Sequence, residues 1–126
     1  MDRTIVHFEI PAKDPAKLSQ FYSKLFGWSF EKWEGSGAGM DYWTIKTREK
    51  DDSVGVDGGM MKKTDPNQNP LNYVLVESVD EYSKKLVQLG GKVVMPKTEI
   101  PSMGQFAVAL DPEGNAFGIF ETKGRQ

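Results

Sequence analysis

The only histidine of this 126-residue chain, His7, lies in the short stretch VHFEIP, two residues before Glu9. Residues 5–10 alternate as a β-strand does, so His7 and Glu9 are predicted to share one face and Phe8 and Ile10 the other. An imidazole next to a carboxylate can bind a metal ion, exchange a proton or hydrogen-bond a ligand. The carboxylate is expected to raise the pKa of His7, which suits a general base. The alternative is a polar pair that only satisfies itself within the sheet.

The composition excludes several classes of function. The chain has no cysteine, which excludes disulfides, thiolate catalysis and cysteine-ligated zinc. The net charge is −2 and no basic stripe occurs, so no nucleic-acid partner is expected. No apolar run has the length of a signal peptide or a membrane span, so no membrane partner is expected either. These features indicate a soluble, cytoplasmic protein.

The first half of the chain has the pattern β-α-β-β-β. After the strand at residues 5–10, Asp14-Pro15 is a helix-start signal and Gly27 a helix-end signal. Strand-like stretches follow at residues 28–33, 40–47 and 54–61, separated by a Gly/Ser-rich turn at 35–39 and a charged turn at 48–53. The helix between the two signals carries one apolar stripe of Leu18, Phe21, Tyr22, Leu25 and Phe26.

The second half repeats this pattern after a linker at residues 63–70. Ser78 and Glu81 have the spacing of a capping box, and Gly90-Gly91 ends the helix. Placing Gly27 on Gly91 places His7 on Leu71. Strands are predicted at residues 71–77, 92–95, 105–110 and 116–121. The predicted fold class is therefore α+β: a single domain of two tandem β-α-β-β-β modules, about residues 4–62 and 71–122, which form a curved mixed sheet around a shared cavity.

Three stretches carry a resemblance to a known family: IVHFEIPAKDPAKLSQFYSKLFGW, LGGKVV and ALDPEGNAFGIFE. With the modular pattern, they resemble the vicinal oxygen chelate superfamily, which includes glyoxalase I, extradiol dioxygenases, methylmalonyl-CoA epimerase and the bleomycin and fosfomycin resistance proteins. The resemblance covers almost the whole chain and implies the glyoxalase/bleomycin resistance fold. It leaves the activity open, because this fold hosts many activities.

The resemblance also implies four metal-ligand positions, on the first and fourth strands of each module. His7 falls on one of them, whereas the equivalent position in the second module is Leu71 and the position near the chain end is Gly118. In residues 54–61 only Asp57 offers oxygen, and the strand centre is glycine. A catalytic divalent ion needs about three protein ligands. We therefore expect neither a catalytic metal nor another cofactor, unless Glu9, Asp57 or Glu121 joins His7; Glu121 has the opposite parity to Gly118.

The concave wall of the predicted cavity is apolar and aromatic, as in a binding site for a small organic molecule. Alternation places Leu71, Tyr73 and Leu75 on the wall, on the same side as His7, and Val74 and Val76 against the helix. A slip of one residue would exchange Trp43 for Tyr42 there. The predicted ligand contacts are His7, Glu9, Trp43, Leu71, Tyr73, Leu75 and Phe106.

The expected function is binding of a small, partly aromatic or amphipathic molecule in the cavity, as in resistance-type members of the superfamily that act by sequestration. His7 and Glu9 are the candidates for any catalytic role. One alternative is a metal-dependent lyase, isomerase or dioxygenase with a non-standard ligand set that includes His7 and Glu9. Another is a protein-interaction or stress-associated module with a vestigial cavity. The resemblance and the general frequency of two-fold pairs also predict a homodimer.

Overall fold

The computed structural model describes residues 2–33, 41–50 and 54–123. The predicted Gly/Ser turn at 35–39, Met40 and the last part of the charged turn, residues 51–53, lie outside the described residues. The two described helices, of 12 and 10 residues, are too short and too polar to cross a membrane. The elements follow each other as β1 (Ile5–Ala12), α1 (Pro15–Phe26), β2 (Ser29–Lys32), β3 (Tyr42–Lys46), β4 (Gly58–Lys62), β5 (Leu71–Leu75), α2 (Val79–Gln88), β6 (Lys92–Ile100), β7 (Gly104–Leu110) and β8 (Ala116–Thr122).

The order β-α-β-β-β occurs twice, which confirms the predicted mixed α+β fold class. The chain divides into two compact units, residues 7–70 and residues 1–6 together with 71–126. In the unit of residues 7–70 the strands lie in the order β2-β3-β4-β1, with β1 and β4 parallel and the other pairs antiparallel. In the other unit the order is β5-β8-β7-β6, with β5 and β8 parallel.

The helix α1 begins and ends where its sequence signals predict. The Asp14 side chain accepts a hydrogen bond from the backbone N–H of Lys17, and Pro15 occupies the first helical position. Gly27 has a φ of 77° and donates its N–H to the carbonyl of Ser23, so the left-handed cap that glycine favours is present. The Asp14 cap and the Gly27 cap together set the length of α1.

One sheet face of the unit of residues 7–70 packs against α1. Ala12, Ile45 and Met60 are almost fully buried there, and Leu18 of α1 packs against them. Phe8 and Ile10 lie on this face, as predicted, together with Trp28, Phe30 and Trp43. Of the other predicted stripe residues of α1, Tyr22 is half-buried, whereas Phe21, Leu25 and Phe26 are each more than half exposed.

The unit that contains α2 has an equivalent helix-facing core. Val76, Val79, Ala107 and Ile119 are buried in it, which confirms that Val76 faces the helix. Ser78 caps α2 by accepting from the N–H of Glu81 at 3.1 Å, as the capping box predicts. The partly buried residues packed against this core are Val74, Tyr82, Leu86 and Phe117.

Two strand boundaries differ from the prediction by four residues or more, and the others differ by one or two residues or agree. Strand β4 begins at Gly58, four residues later than predicted, because Val54 is fully exposed and Asp57 hydrogen-bonds to Thr47 outside the ladder. Strand β6 continues to Ile100 through register shifts on both sides of Met95. Pro96 lies within the second shift, where its missing N–H is tolerated because β6 is the edge strand next to β7 in the order of the described strands.

Candidate functional site

The sheet face away from α1 carries a hydrogen-bonded trio formed by His7, Tyr42 and Glu9. The Tyr42 hydroxyl donates to Glu9 Oε2 at 3.1 Å, and its oxygen lies 2.8 Å from His7 Nε2. All three side chains are half-buried. Strand alternation places His7 and Glu9 on this face of β1, and the pairing of β3 with β4 places Tyr42 on the same face. The predicted shared face of His7 and Glu9 is therefore confirmed.

The positions of the protons in the trio follow from the hydrogen-bond pattern. A tyrosine hydroxyl has one proton, and Tyr42 donates it to Glu9, so Nε2 of His7 has to carry a proton to bond the Tyr42 oxygen. Burial lowers the pKa of His7 below its ordinary 6.5, against the opposing effect of the Asp57 charge. The expectation of a raised pKa is therefore wrong, because desolvation of the imidazolium outweighs the attraction of a carboxylate. His7 is a neutral imidazole at neutral pH.

Tyr42 is the member of the trio that the sequence interpretation did not select. Trp43, which was predicted on the wall, packs instead in the helix-facing core, since it pairs with the buried Met60. The signal that could have revealed this is the apolar alternation of Trp43 and Ile45, which favours one buried face and leaves Tyr42 on the other. The prediction that Trp43 lies on the wall is therefore wrong, by a slip of one residue.

Three features fix the position of the Tyr42 ring. A Cβ on Gly59 would lie 1.8 Å from the Tyr42 hydroxyl oxygen and 2.2 Å from its Cζ, so the ring needs a residue without a side chain there. The ring of Trp33 stands edge-to-face with it at a centroid distance of 6.0 Å. His7 stacks nearly parallel to it at 6.5 Å. The carboxylate of Glu9 thus lies beside the aromatic rings of Tyr42 and Trp33.

Asp57 belongs to a separate ion pair with Arg48. Its Oδ2 accepts from Arg48 at 2.9 Å, and its Oδ1 accepts from the N–H of Thr47 at 2.9 Å and the Thr47 hydroxyl at 3.1 Å. The Arg48 hydrogen bond, together with those of Thr47, lowers the pKa of Asp57 to about 2 against the opposing effect of desolvation. The pair holds the segment before β4 against the end of β3.

The Asp57 ion pair predicts a specific acid dependence of stability. Because the pKa is lower in the folded than in the unfolded chain, the contribution is present above about pH 4 and is lost as the pH falls towards 2. We expect a loss of about 1–2 kcal/mol over this window, since the partly exposed pair is screened by solvent. Urea unfolding at pH 5, 4, 3 and 2 measures it. Asp57→Asn should remove this part of the dependence of the free energy of unfolding on pH. Asp41→Asn controls for the change in net charge. Parallel slopes for wild type and Asp57→Asn would contradict the assignment.

In the other unit, four predicted contact residues share the sheet face away from α2. The strand registers place Leu71, Tyr73 and Leu75 of β5 on the same face as Phe106 of β7. The rings of Tyr73 and Phe106 meet edge-to-face at 6.1 Å, and Tyr73 is buried. The Tyr73 ring lies over Gly118, where a Cβ would be 2.2 Å from its Cδ2. This face is apolar and aromatic, as predicted.

The strand registers locate the two fourth-strand ligand positions that the family pattern implies. Glu9 pairs with Gly59 in one unit and Tyr73 pairs with Gly118 in the other, so the two glycines are equivalent in the repeat. Neither has a side chain, and tyrosine rings occupy the volume where a ligand side chain would begin. These two positions do not fit a metal centre.

The other acidic side chains considered as metal ligands, those of Asp57 and Glu121, also have other partners. Asp57 is bound by Arg48 and Thr47. Glu121 accepts from the N–H of Val79 at 2.7 Å and so caps α2, which confirms that it points away from the Gly118 face. Within residues 2–33, 41–50 and 54–123, no three histidine, aspartate or glutamate side chains are grouped as a metal site. The described residues therefore do not fit the family metal.

Comparisons with known proteins agree with this architecture. The model of the Glyoxalase/Bleomycin resistance protein/Dioxygenase superfamily matches residues 4–119. A proposed glyoxylase of Mycobacterium tuberculosis is 28% identical over 115 residues, 90% of this chain and 43% of that protein. The anthracycline biosynthesis protein DnrV of Streptomyces peucetius is 26% identical over 124 residues, 90% of this chain and 45% of that protein. The chain thus spans less than half the length of these relatives.

A solved structure of similar fold is methylmalonyl-CoA epimerase from Mycobacterium tuberculosis. It has a TM-score of 0.68 at 13% identity, over 94% of this chain and 87% of that chain. Because the family model covers nearly all of the sequence, the chain belongs to the Glyoxalase/Bleomycin resistance protein/Dioxygenase superfamily.

Proposed function

We propose that this chain binds a small organic molecule in contact with His7, Tyr42 and Glu9, without a resident metal ion. The observation that carries the proposal is the Tyr42 hydroxyl, which bonds both His7 and Glu9 on a half-buried sheet face. A few convergent polar groups beside aromatic rings are typical of small-molecule sites. The trio supplies the polar groups, and Trp33 and Tyr42 supply the rings.

In the unit that contains α2, the face formed by Leu71, Tyr73, Leu75 and Phe106 is proposed as a ligand-contact surface in its own right. Its apolar and aromatic character suits an apolar or aromatic organic molecule. The names of the relatives support an organic ligand, because one is a proposed glyoxylase and the other is an anthracycline biosynthesis protein. Burial of one ring at about 25 cal/mol per Å² supports affinities near the micromolar range after ordering costs.

The test is an NMR titration of the ¹⁵N-labelled protein with naphthylmethanol, a neutral probe that combines a ring with a hydroxyl. We expect saturable shifts at the amides of His7, Glu9 and Tyr42. Tyr42→Phe keeps the ring and removes the bridging hydroxyl, so binding should weaken roughly three- to tenfold. Tyr73→Val tests the apolar contact, and His7→Ala should change the choice of ligand more than stability.

A matched control is Tyr82→Phe. It also removes a tyrosine hydroxyl, but one that accepts a hydrogen bond from the exposed Arg3 and does not belong to the trio. It should leave the probe affinity unchanged. No saturable shift at millimolar probe would contradict the proposal and favour an interaction module. Equal weakening by Tyr42→Phe and Tyr82→Phe would contradict the placement of the ligand at the trio.

The metal-free part of the proposal has its own test. We expect the purified protein to contain less than stoichiometric Zn, Ni, Fe, Mn or Co, and its melting temperature to stay unchanged with chelators. A tightly bound metal would stabilise the fold by roughly 2.7 kcal/mol at a hundredfold excess over its dissociation constant. Elemental analysis decides. A one-to-one metal content that His7→Ala abolishes would favour the metal-dependent lyase, isomerase or dioxygenase.

A further inference from the structure

We propose that the outer face of α1 binds the surface of a membrane that contains anionic phospholipids, a role beyond the small-molecule site proposed above. Phe21, Leu25 and Phe26 are each more than half exposed on this helix. Phe21 and Leu25 are four residues apart, so their side chains are neighbours on the helix surface. Contiguous exposed apolar side chains on a folded protein are typical of an interaction surface.

The exposed rings of α1 are held in place by the half-buried rings beside them. Phe21 meets Tyr22 edge-to-face at a centroid distance of 5.1 Å, and the Phe26 ring lies 5.2 Å from that of Trp28. Tyr22 in turn stacks on Trp28 at 5.3 Å. The exposed rings therefore have defined positions before any partner binds, and binding needs little further ordering of them.

The charges around this apolar face are basic. The helix α1 contains no acidic residue, and its lysines, Lys17 and Lys24, are both exposed. Phe21 is four residues after Lys17 and three before Lys24, so both lysines lie beside it on the helix surface. Lys62 lies on the α1 side of the sheet, because it pairs with the buried Ala12 of the helix-facing core. Within the part of the chain that the structure describes, none of these three lysines forms an ion pair.

This combination of an apolar centre and basic flanks favours a lipid surface over the other possible occupants. A second copy that packed the same face across a two-fold axis would bring Lys17 and Lys24 towards the same lysines of its partner, which is unfavourable. The outer surface of a helix is convex, whereas peptide segments dock into grooves or along sheet edges. An anionic bilayer supplies headgroup charge for the lysines and a boundary region into which phenylalanine and leucine insert.

A helix that lies on a bilayer has different requirements from one that crosses it. The expectation that the chain has no membrane partner considered only segments long enough to span a bilayer, and α1, with 12 residues, is too short for that. A helix in the plane of the interface needs only one apolar face with basic residues around it. The outer face of α1 has both.

The experiment is co-sedimentation of the protein with sucrose-loaded vesicles of equimolar phosphatidylglycerol and phosphatidylcholine, and with vesicles of phosphatidylcholine alone, at low salt. We expect binding to the anionic vesicles only, and weaker binding at physiological salt, which screens the lysines. The Lys17→Gln/Lys24→Gln double variant should lower the partition coefficient about ten- to thirtyfold. The Phe21→Gln/Leu25→Gln double variant should lower it about tenfold or more, because less apolar surface is inserted.

The chain offers matched controls for both double variants. Lys84→Gln/Lys92→Gln makes the same change in net charge at exposed positions away from α1. Val87→Gln/Leu89→Gln replaces two exposed apolar residues at the end of α2. Both controls should leave the partition coefficient unchanged. Thermal unfolding followed by circular dichroism checks that each variant is folded, which is expected because every substituted side chain is exposed.

Binding to the anionic vesicles that both α1 double variants weaken, and that both controls retain, supports the inference. Binding to neither kind of vesicle, equal binding to both kinds, or binding that the α1 double variants leave unchanged overturns it. Analytical ultracentrifugation tests the second copy as an occupant. A dimer that Phe21→Gln/Leu25→Gln converts to a monomer would assign this face to a second copy and would also overturn the inference.

Discussion

Replacing Gly118 by alanine is expected to destabilise the protein by about 2–3 kcal/mol, the cost of forcing an extra methyl group into a filled space. The new Cβ would lie 2.2 Å from Cδ2, 2.4 Å from Cε2 and 2.8 Å from Cγ of Tyr73. Three ring atoms are contacted, including the one nearest the backbone, so a small rotation of the ring cannot relieve the clash. Tyr73 is also buried, with 6% of its surface exposed, and has little room to move. Urea unfolding followed by circular dichroism measures the loss, which corresponds to a melting-temperature decrease of about 10 °C.

The control is the same substitution in a Tyr73→Val background. Valine suits a strand and removes the ring, so Gly118→Ala should then cost less than about 1 kcal/mol. The difference between the two costs is the coupling energy of the Tyr73–Gly118 contact. Equal costs in the two backgrounds would show that the ring does not occupy the space above Gly118 and would contradict the structure at this point.

Gly59→Ala is expected to displace Tyr42 and disconnect the trio. The Cβ would lie 1.8 Å from the Tyr42 oxygen, 2.2 Å from Cζ and 2.6 Å from Cε2. Tyr42 is half-buried, so its ring can swing aside, and the loss of stability should be only about 1–2 kcal/mol. Both hydrogen bonds of the hydroxyl are lost in that movement. Probe binding should therefore weaken about tenfold, as much as or more than in Tyr42→Phe.

The readout for this prediction is the imidazole resonance of His7, which needs no assignment because the chain has one histidine. In the wild type, its pH titration should give a pKa below 6.5, since burial disfavours the charged form. The resonance should shift in Gly59→Ala, because Tyr42 no longer bonds Nε2. Adding Tyr42→Ala to Gly59→Ala should restore most of the lost stability. An unchanged His7 resonance in Gly59→Ala would contradict the arrangement of the trio.

Local features of the sequence predicted the elements well because their physical causes are local. The caps of α1 depend on Asp14, Pro15 and Gly27, all within one helical turn of the ends they cap. The shared face of His7 and Glu9 depends only on alternation along one strand. The internal repeat correctly predicted that Leu71 is equivalent to His7 in the pattern.

Features that depend on pairing between strands were harder to predict from the sequence. Trp43 was placed on the wrong face because both Tyr42 and Trp43 are aromatic and only the register with Met60 distinguishes them. Asp57 was predicted within the strand at residues 54–61. Its contact with Arg48, which lies nine residues earlier in a loop, is not visible in the local pattern. The cap that Glu121 provides for α2 joins residues 42 positions apart, and no local pattern reports it.

The sequence by itself determined the two β-α-β-β-β patterns, the family, and the face on which His7 and Glu9 lie. Only the tertiary structure decided that Tyr42 joins them, that tyrosine rings cover Gly59 and Gly118, and that the pKa of His7 is lowered. The physical reason is that helix caps and strand alternation are properties of neighbouring residues. Contacts across strands depend on register, and the pKa of a histidine depends on how far the fold removes it from water.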